Sequence, residues 1–346
     1  MPTVTKDRGR SGAGPQVVVV TGASGGIGRA TAVAFARRGD RVALLARGET
    51  GLRAAADDVR AAGGTPLVIP TDVADAEAVE AAADRVESEL GPIDVWCNVA
   101  FTSVFAPFSE ITAAEYARVT EVTYLGFVHG TMAALRRMTS RDRGVIVQTG
   151  SALAYRGIPL QSVYCGAKHA IKGFTESLHT ELRHDRSNVH VTMVNMPGVN
   201  TPQFDWVLNK LPRRPQPVAP IYSPEFVATS MVWAAEHPGR RAWWVGTPTV
   251  YTIMGNKVAP AFLDWYLART GISGQQTDTD AEPTDPHNLW QPADGEDGRD
   301  FGADGRFTAG SWTHDPQVWA SRHHGTVAAI GAAAVAGTAA LLRRKA

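Results

Sequence analysis

Tyr164 and Lys168 stand four residues apart in the stretch "QSVYCGAKHAIKGF", residues 161–174. That spacing is just over one helical turn, so in a helix the two side chains share a face. A phenol titrates near ~10, too high for easy proton exchange at neutral pH. A lysine ammonium close by stabilises the phenolate and lowers that value. Thirteen positions before Tyr164, Ser151 follows the apolar run "GVIVQTG". Its hydroxyl suits an oxygen that alternates between carbonyl and alcohol. Such a Tyr–Lys pair arises by chance often enough that the rest of the chain must carry the argument.

The second chemical signal is "VVVVTGASGGIGRA", residues 17–30. A buried-looking strand runs into Thr21 and Gly22, and Gly26 and Gly28 then open a helix. Glycines let backbone turn tightly and approach a pyrophosphate, and a helix N-terminus offers free N–H groups. Ser24 and Ile27 complete the loop. The spacing is G-x-x-x-G-x-G, not G-x-G-x-x-G. At the end of the second strand the sequence reads "VALLARGE", with Arg47 where an acid would hold a ribose 2′-hydroxyl. A guanidinium pairs strongly with a 2′-phosphate. The expected cofactor is therefore NADP(H) over NAD(H).

The elements that position these groups follow from short apolar runs alternating with helical patterns. Candidate strands are Val17–Thr21, Arg41–Ala46, Pro66–Pro70, Ile93–Val99, Gly144–Thr149, Val189–Asn195 and Trp243–Gly246. They lack a clean two-residue alternation, as buried parallel strands do. Ala-rich segments such as "RATAVAFARRG", ending at Gly39, fill the gaps as helices. The expected fold is α/β, a Rossmann-type doubly wound, mainly parallel seven-stranded sheet with helices on both faces.

Hydrophobic residues make up 44% of the 346, enough for one large core. A formal net charge of zero gives no global field for nucleic acid, and none is expected as a partner. Two cysteines, Cys97 and Cys165, fit a reducing, cytoplasmic setting. The ten histidines show no ligand spacing, so no metal site is expected. Residues 1–14 read as a flexible arm without a secretory signal, 15–271 as the catalytic domain, 272–324 as an acidic Pro/Gly-rich extension, and 325–346 as an apolar helix with a basic end. Trp290, Phe301, Phe307 and Trp312 are placed to pin the extension onto the domain. The run 325–342 would span about 27 Å as a helix. Its few strong hydrophobes leave two readings open, a membrane contact or a soluble packing helix.

With "TGASGGIG", Asp72-Val73, the Ser151/Tyr164/Lys168 set and "NMPGVNTP" in this order, residues 15–265 resemble the short-chain dehydrogenase/reductase superfamily, in its branch of single-domain subunits. The resemblance implies Tyr164 as general acid/base. It implies Lys168 as the group that lowers its pKa and binds the nicotinamide ribose, and Ser151 as the group that orients substrate. Asp72 and Val73 would face the adenine. Asn98 would support the cofactor side of the fourth strand, followed by Ala100. Pro197, Gly198 and Thr201 would lie along the nicotinamide. The helices around 115–138 and 164–183 resemble the family's dimer-forming pair, so a homodimer or homotetramer is expected.

Two departures from the family pattern stand out. "NVAF" puts Phe101 where the family usually has glycine, either walling the pocket or repacking the loop. "EVTYLGFVHG" puts Thr123 where many members carry a relay asparagine, so Thr123 is the candidate there. Cys165 is expected to pack, and Lys172 to face solvent or an acid. Phe204, Trp206, Leu208 and Leu211 in the loop 201–224 would form an apolar lid or pack beneath it. Arg213 and Arg214 would meet an anion or solvent. The expected activity is interconversion of an apolar secondary alcohol and its ketone. The rival reading is a cofactor-binding or scaffolding protein of this fold with little turnover.

Overall fold

The computed structural model describes residues 14–282, 285–294 and 298–329. Seven parallel strands form one sheet: β1 (Val17–Thr21), β2 (Arg41–Ala46), β3 (Thr65–Pro70), β4 (Val95–Asn98), β5 (Gly144–Ser151), β6 (Val189–Met196) and β7 (Ala242–Trp244), in the order β3-β2-β1-β4-β5-β6-β7. Two of the seven strands match the expected bounds, and the others shift by one or two residues. Both faces are covered, which is why the strands are near-continuous apolar runs. Val18 and Val20 of β1 face one core, with Phe35, Leu52 and Met231. Val17 and Val19 face the other, with Val79, Val86 and Met138.

The helices supplying those cores are α1 (Gly26–Ala36), α2 (Glu49–Ala61) and Pro224–Glu236 on the first face. On the second are α3 (Ala76–Glu89), α5 (Gly126–Ser140) and α6 (Ser162–His184). Local chemistry fixes their starts. Asp75 accepts from Glu77 and Ala78 N–H at 2.9 and 3.0 Å to cap α3. Thr112 and Glu115 make a reciprocal capping box on α4 (Ala113–Thr120). The next turn, Glu121–Leu125, is π-helical and leads into α5. By contrast α1 opens at Gly25 with no side-chain cap, leaving its N–H groups to be met by something else.

After helix Pro260–Thr270 the chain turns back across the domain. Gln276–Asp280 pairs antiparallel with Arg213–Pro215. Residues 285–294 and 298–306 then run over the C-terminal edge of the sheet as a strap. Leu289, fully buried among Val104, Ala106, Val119 and Val163, anchors it. Trp290, by contrast, is 46% exposed, so the pinning expected of it falls to its neighbour. Phe301 meets Trp206 edge-on at 4.8 Å, Phe307 meets Phe204 at 6.1 Å, and Trp312 meets Tyr222 at 5.8 Å. No helix among the described residues is long and apolar enough to cross a membrane. Most of the run 325–342 lies outside the described residues.

Candidate active site

The three candidate catalytic residues gather at the end of β5. Ser151 is its last residue, and its Oγ accepts from Leu153 N–H at 3.1 Å, which fixes the turn that follows. Tyr164 and Lys168 lie in the first turns of α6. Burial pushes the Tyr164 phenol above its ordinary range, and a hydrogen bond with Ser151 acts the other way. Lys168 is 1% exposed, and its Nζ donates to Thr149 O at 2.7 Å. The same Nζ lies 4.7 Å from the Phe127 ring centroid and 5.6 Å from that of Tyr164. Desolvation lowers its pKa to about 7. The pair is thus held in a dry corner where a charged partner would act strongly.

Phe101 walls this corner. Its ring lies 5.7 Å from that of Tyr164 and 5.7 Å from Lys168 Nζ, so it packs on the pair as well as filling its own loop. Thr123 is differently placed from a relay residue. Its Oγ1 donates to Thr102 O at 2.7 Å and accepts from Thr102 N–H at 3.0 Å. Both bonds go to the backbone just after Phe101. Asn98 is likewise consumed in the core. Its amide donates to Gln148, Thr131 and Phe127 at 3.0, 3.2 and 3.3 Å and accepts from Trp96 Nε1 at 2.8 Å.

A cleft extends from Phe101 towards β2. Gly22, Ser24, Gly26, Ile27, Gly28, Arg47, Asp72, Val73, Ala100 and Thr201 all border it. Its glycine loop is a true cradle. Gly22 has φ +68° and Gly26 φ +55°, and a Cβ on Gly28 would collide with the Gly22 carbonyl. Thr21 ties the loop down, accepting from Val99 and Ala100 N–H at 2.9 and 3.1 Å. Asp72 accepts from Arg118 at 2.6 Å and from Ala74 N–H at 3.0 Å. Burial raises its carboxyl, but those bonds and the charges of Arg118 and Arg47 outweigh it, so the pKa falls below the usual range. These residues fit a dinucleotide. Pro197 and Gly198 do not border the cleft: Gly198 accepts from Tyr222 N–H at 2.9 Å, bracing the loop that carries Thr201.

The strap supplies walls that no motif announced: Asn288, Pro292, Ala293, Asp294, Arg299 and Phe301. Gly26 N–H donates to Gly302 O at 3.1 Å, meeting the uncapped start of α1. Arg29 pairs with Asp58 at 2.7 Å and with Asp300. Arg47 donates to Trp290 O at 3.1 Å and to Asn288 O. Trp206 leans over Gly25, so it covers the glycine loop. Arg214 pairs with Asp285 at 2.9 Å and Arg213 with Asp278 at 3.6 Å, which places both on the extension. Lys172 pairs with Glu176 at 2.9 Å, and Cys165 is buried.

The sequence pattern described as short chain dehydrogenase matches residues 16–210. An uncharacterised oxidoreductase of Bacillus subtilis (strain 168), YxnA, is 31% identical over 80% of this chain and 78% of its own. An uncharacterised oxidoreductase of Mycobacterium tuberculosis is 30% identical over 78% of this chain and 80% of its own. Among solved structures, an alcohol dehydrogenase of Thermococcus sibiricus complexed with 5-hydroxy-NADP superposes with a TM-score of 0.58. It shares 24% identity and covers 67% of this chain and 96% of that one, a likeness of fold.

Proposed function

The chain belongs to the short-chain dehydrogenase family and is an NAD(P)-dependent oxidoreductase; from that premise we propose that it interconverts an apolar secondary alcohol and its ketone with NADP(H). The observation that carries the reading is the meeting of Ser151, Tyr164 and Lys168 at the end of β5, joined through Phe101 to the cleft that holds the glycine cradle. The bound cofactor supplies or accepts the hydride. Every other task falls to side chains. Tyr164 Oη gives a proton to the ketone oxygen, or takes one from the alcohol. Ser151 Oγ hydrogen-bonds that same oxygen and keeps it within reach of the phenol. Lys168, held by Thr149 O, would lend its charge to the phenolate when protonated and would bind the nicotinamide ribose.

Gly22, Ser24, Gly26, Ile27 and Gly28 would hold the pyrophosphate, Asp72 and Val73 the adenine, and Arg47 the 2′-phosphate. Thr201 would border the nicotinamide. Thr123 serves as a positioning residue, setting the backbone that carries Phe101. The apolar character rests on Phe101, with Val99, Val122 and Trp206 bordering the same cleft. The exposed Tyr116, Leu125 and Met132 on α4, the π turn and α5 support self-association through that face as a homodimer or homotetramer.

A panel of ketones assayed by NADPH oxidation tests the reading. Turnover should favour apolar ketones. Binding of NADPH with no turnover on any member would favour a non-catalytic dinucleotide-binding protein instead.

A further inference from the structure

The far corner of the cleft, at the end of β2 and the start of α2, already holds an anion, and that anion belongs to the chain itself. Asp294 is 9% exposed, and its Oδ2 accepts from Gly51 N–H at 3.0 Å in the first turn of α2. Its carboxylate lies so close to Gly48 that a Cβ there would collide with both oxygens. Ser24 of the glycine loop abuts Gly51 from the other side. Arg47 adjoins the same corner. Burial lowers its guanidinium below its usual range, opposed first by the charge of Asp72 and also by that of Asp294.

A guanidinium, a helix-start N–H and a serine hydroxyl are donors that suit a phosphomonoester. They suit a carboxylate too, but not both at once. A 2′-phosphate carries close to two negative charges, and a carboxylate sharing its donors would cost several kcal/mol. A ribose 2′-hydroxyl, by contrast, is itself a donor, and a carboxylate at the end of a second strand is its natural acceptor. Here strand β2 carries no such acid, and the strap delivers one from 243 positions beyond Gly51.

We propose that Asp294 chooses the cofactor. With the strap docked, its carboxylate accepts from the ribose 2′-hydroxyl and the site takes NAD(H). NADP(H) binds only when its phosphate displaces Asp294 from Gly51 and takes Arg47 from the carbonyls of Asn288 and Trp290. This rests on the reading of the cleft as a dinucleotide site, and it makes the NADP(H) preference conditional on the strap.

Calorimetric titration of the full chain and of Asp294→Asn with NAD⁺, NADP⁺ and 2′,5′-ADP tests it. Asparagine keeps the shape and can still accept from Gly51 N–H, so the corner stays built. The expected result is an NADP⁺-to-NAD⁺ affinity ratio at least about tenfold higher in the variant, with 2′,5′-ADP following NADP⁺. In the unaltered chain, 2′,5′-ADP should speed amide exchange of residues 286–294, while NAD⁺ should slow it. An unchanged ratio with both dinucleotides bound overturns the proposal, as does loss of all binding in the variant alone. Failure of both proteins to bind either dinucleotide overturns the dinucleotide reading itself.

Discussion

The two ends of the candidate site are built in different ways. The Ser151–Tyr164–Lys168 end grows from contiguous sheet and helix: Ser151 closes β5, and Tyr164 and Lys168 follow within one helix start. The end that carries the glycine loop is finished by residues that arrive late in the chain, Asn288, Asp294 and Gly302 among them. The first arrangement suits chemistry, which needs groups fixed within fractions of an ångström. The second suits selection, because a strap held by a handful of contacts can give way to a ligand that matches those contacts better. Thr102 joins the two. Its backbone is held by Thr123 on the reacting side, and its Oγ1 donates to Asn288 Oδ1 at 3.0 Å on the strap side.

If the ends are separable, single substitutions should disturb one and spare the other. The largest effect belongs to Tyr164→Phe. Steady-state kinetics should show kcat/KM reduced by about 10²–10⁴. The cofactor Kd, measured by titration, should stay within about twofold. A Kd that moves as far as the rate would break the division. Next, Leu289→Ala removes the buried anchor of the strap. Hydrogen exchange of residues 285–294 should report about 2–4 kcal/mol less local protection, with the amides of β5 unaffected.

Lys168 gives a pH-dependent contrast. Its folded pKa of about 7 lies below the unfolded value near ~10.4. Between those limits the unfolded chain binds the extra proton, so stability rises with pH, by up to about 1.4 kcal/mol per unit. Below about pH 7 the cost of burying the charge is felt in full. Chemical denaturation of Lys168→Met beside the unaltered chain should show any stability advantage of methionine shrinking as pH rises from 7 to 10. A constant gap would mean that the amine is not desolvated. The smallest effect is that of Thr123→Val. Losing the hydroxyl that bonds Thr102 should cost about 1–2 kcal/mol in thermal unfolding. Because Thr102 bridges the ends, ketone KM and strap exchange should both rise.

Sequence and structure agree most closely where the pattern is local. The strands of β1 and β2 are bounded by the same residues in both, because a buried parallel strand shows as an unbroken apolar run with glycine or charge at its ends. The glycine cradle was legible for the same reason: Gly22, Gly26 and Gly28 do their work within a few residues of one another. Roles that depend on a distant partner were not legible. Thr123 looks like a relay hydroxyl until Thr102 is seen to use it. Arg47 looks like a free phosphate ligand until Asn288 and Trp290 are seen to hold it. Asp294 was one of nine acidic residues in a Pro/Gly-rich stretch, with nothing local to mark it. Leu289 is the better local clue to the strap, an aliphatic residue amid polar sequence that is buried where its neighbour Trp290 is not.

The order of synthesis adds a time axis to this architecture. A ribosome completes β7 at Trp244 and reaches Asp294 about fifty residues later, roughly 2–10 s at ordinary elongation rates. During that interval the cradle at Gly22–Gly28 has all of its own sequence, while its eventual cover is still being made. Contacts of such long sequence separation also carry the larger loop-closure entropy cost. The cleft is therefore complete in sequence before the carboxylate that closes its corner exists, so the strap is the last part of the site to be made.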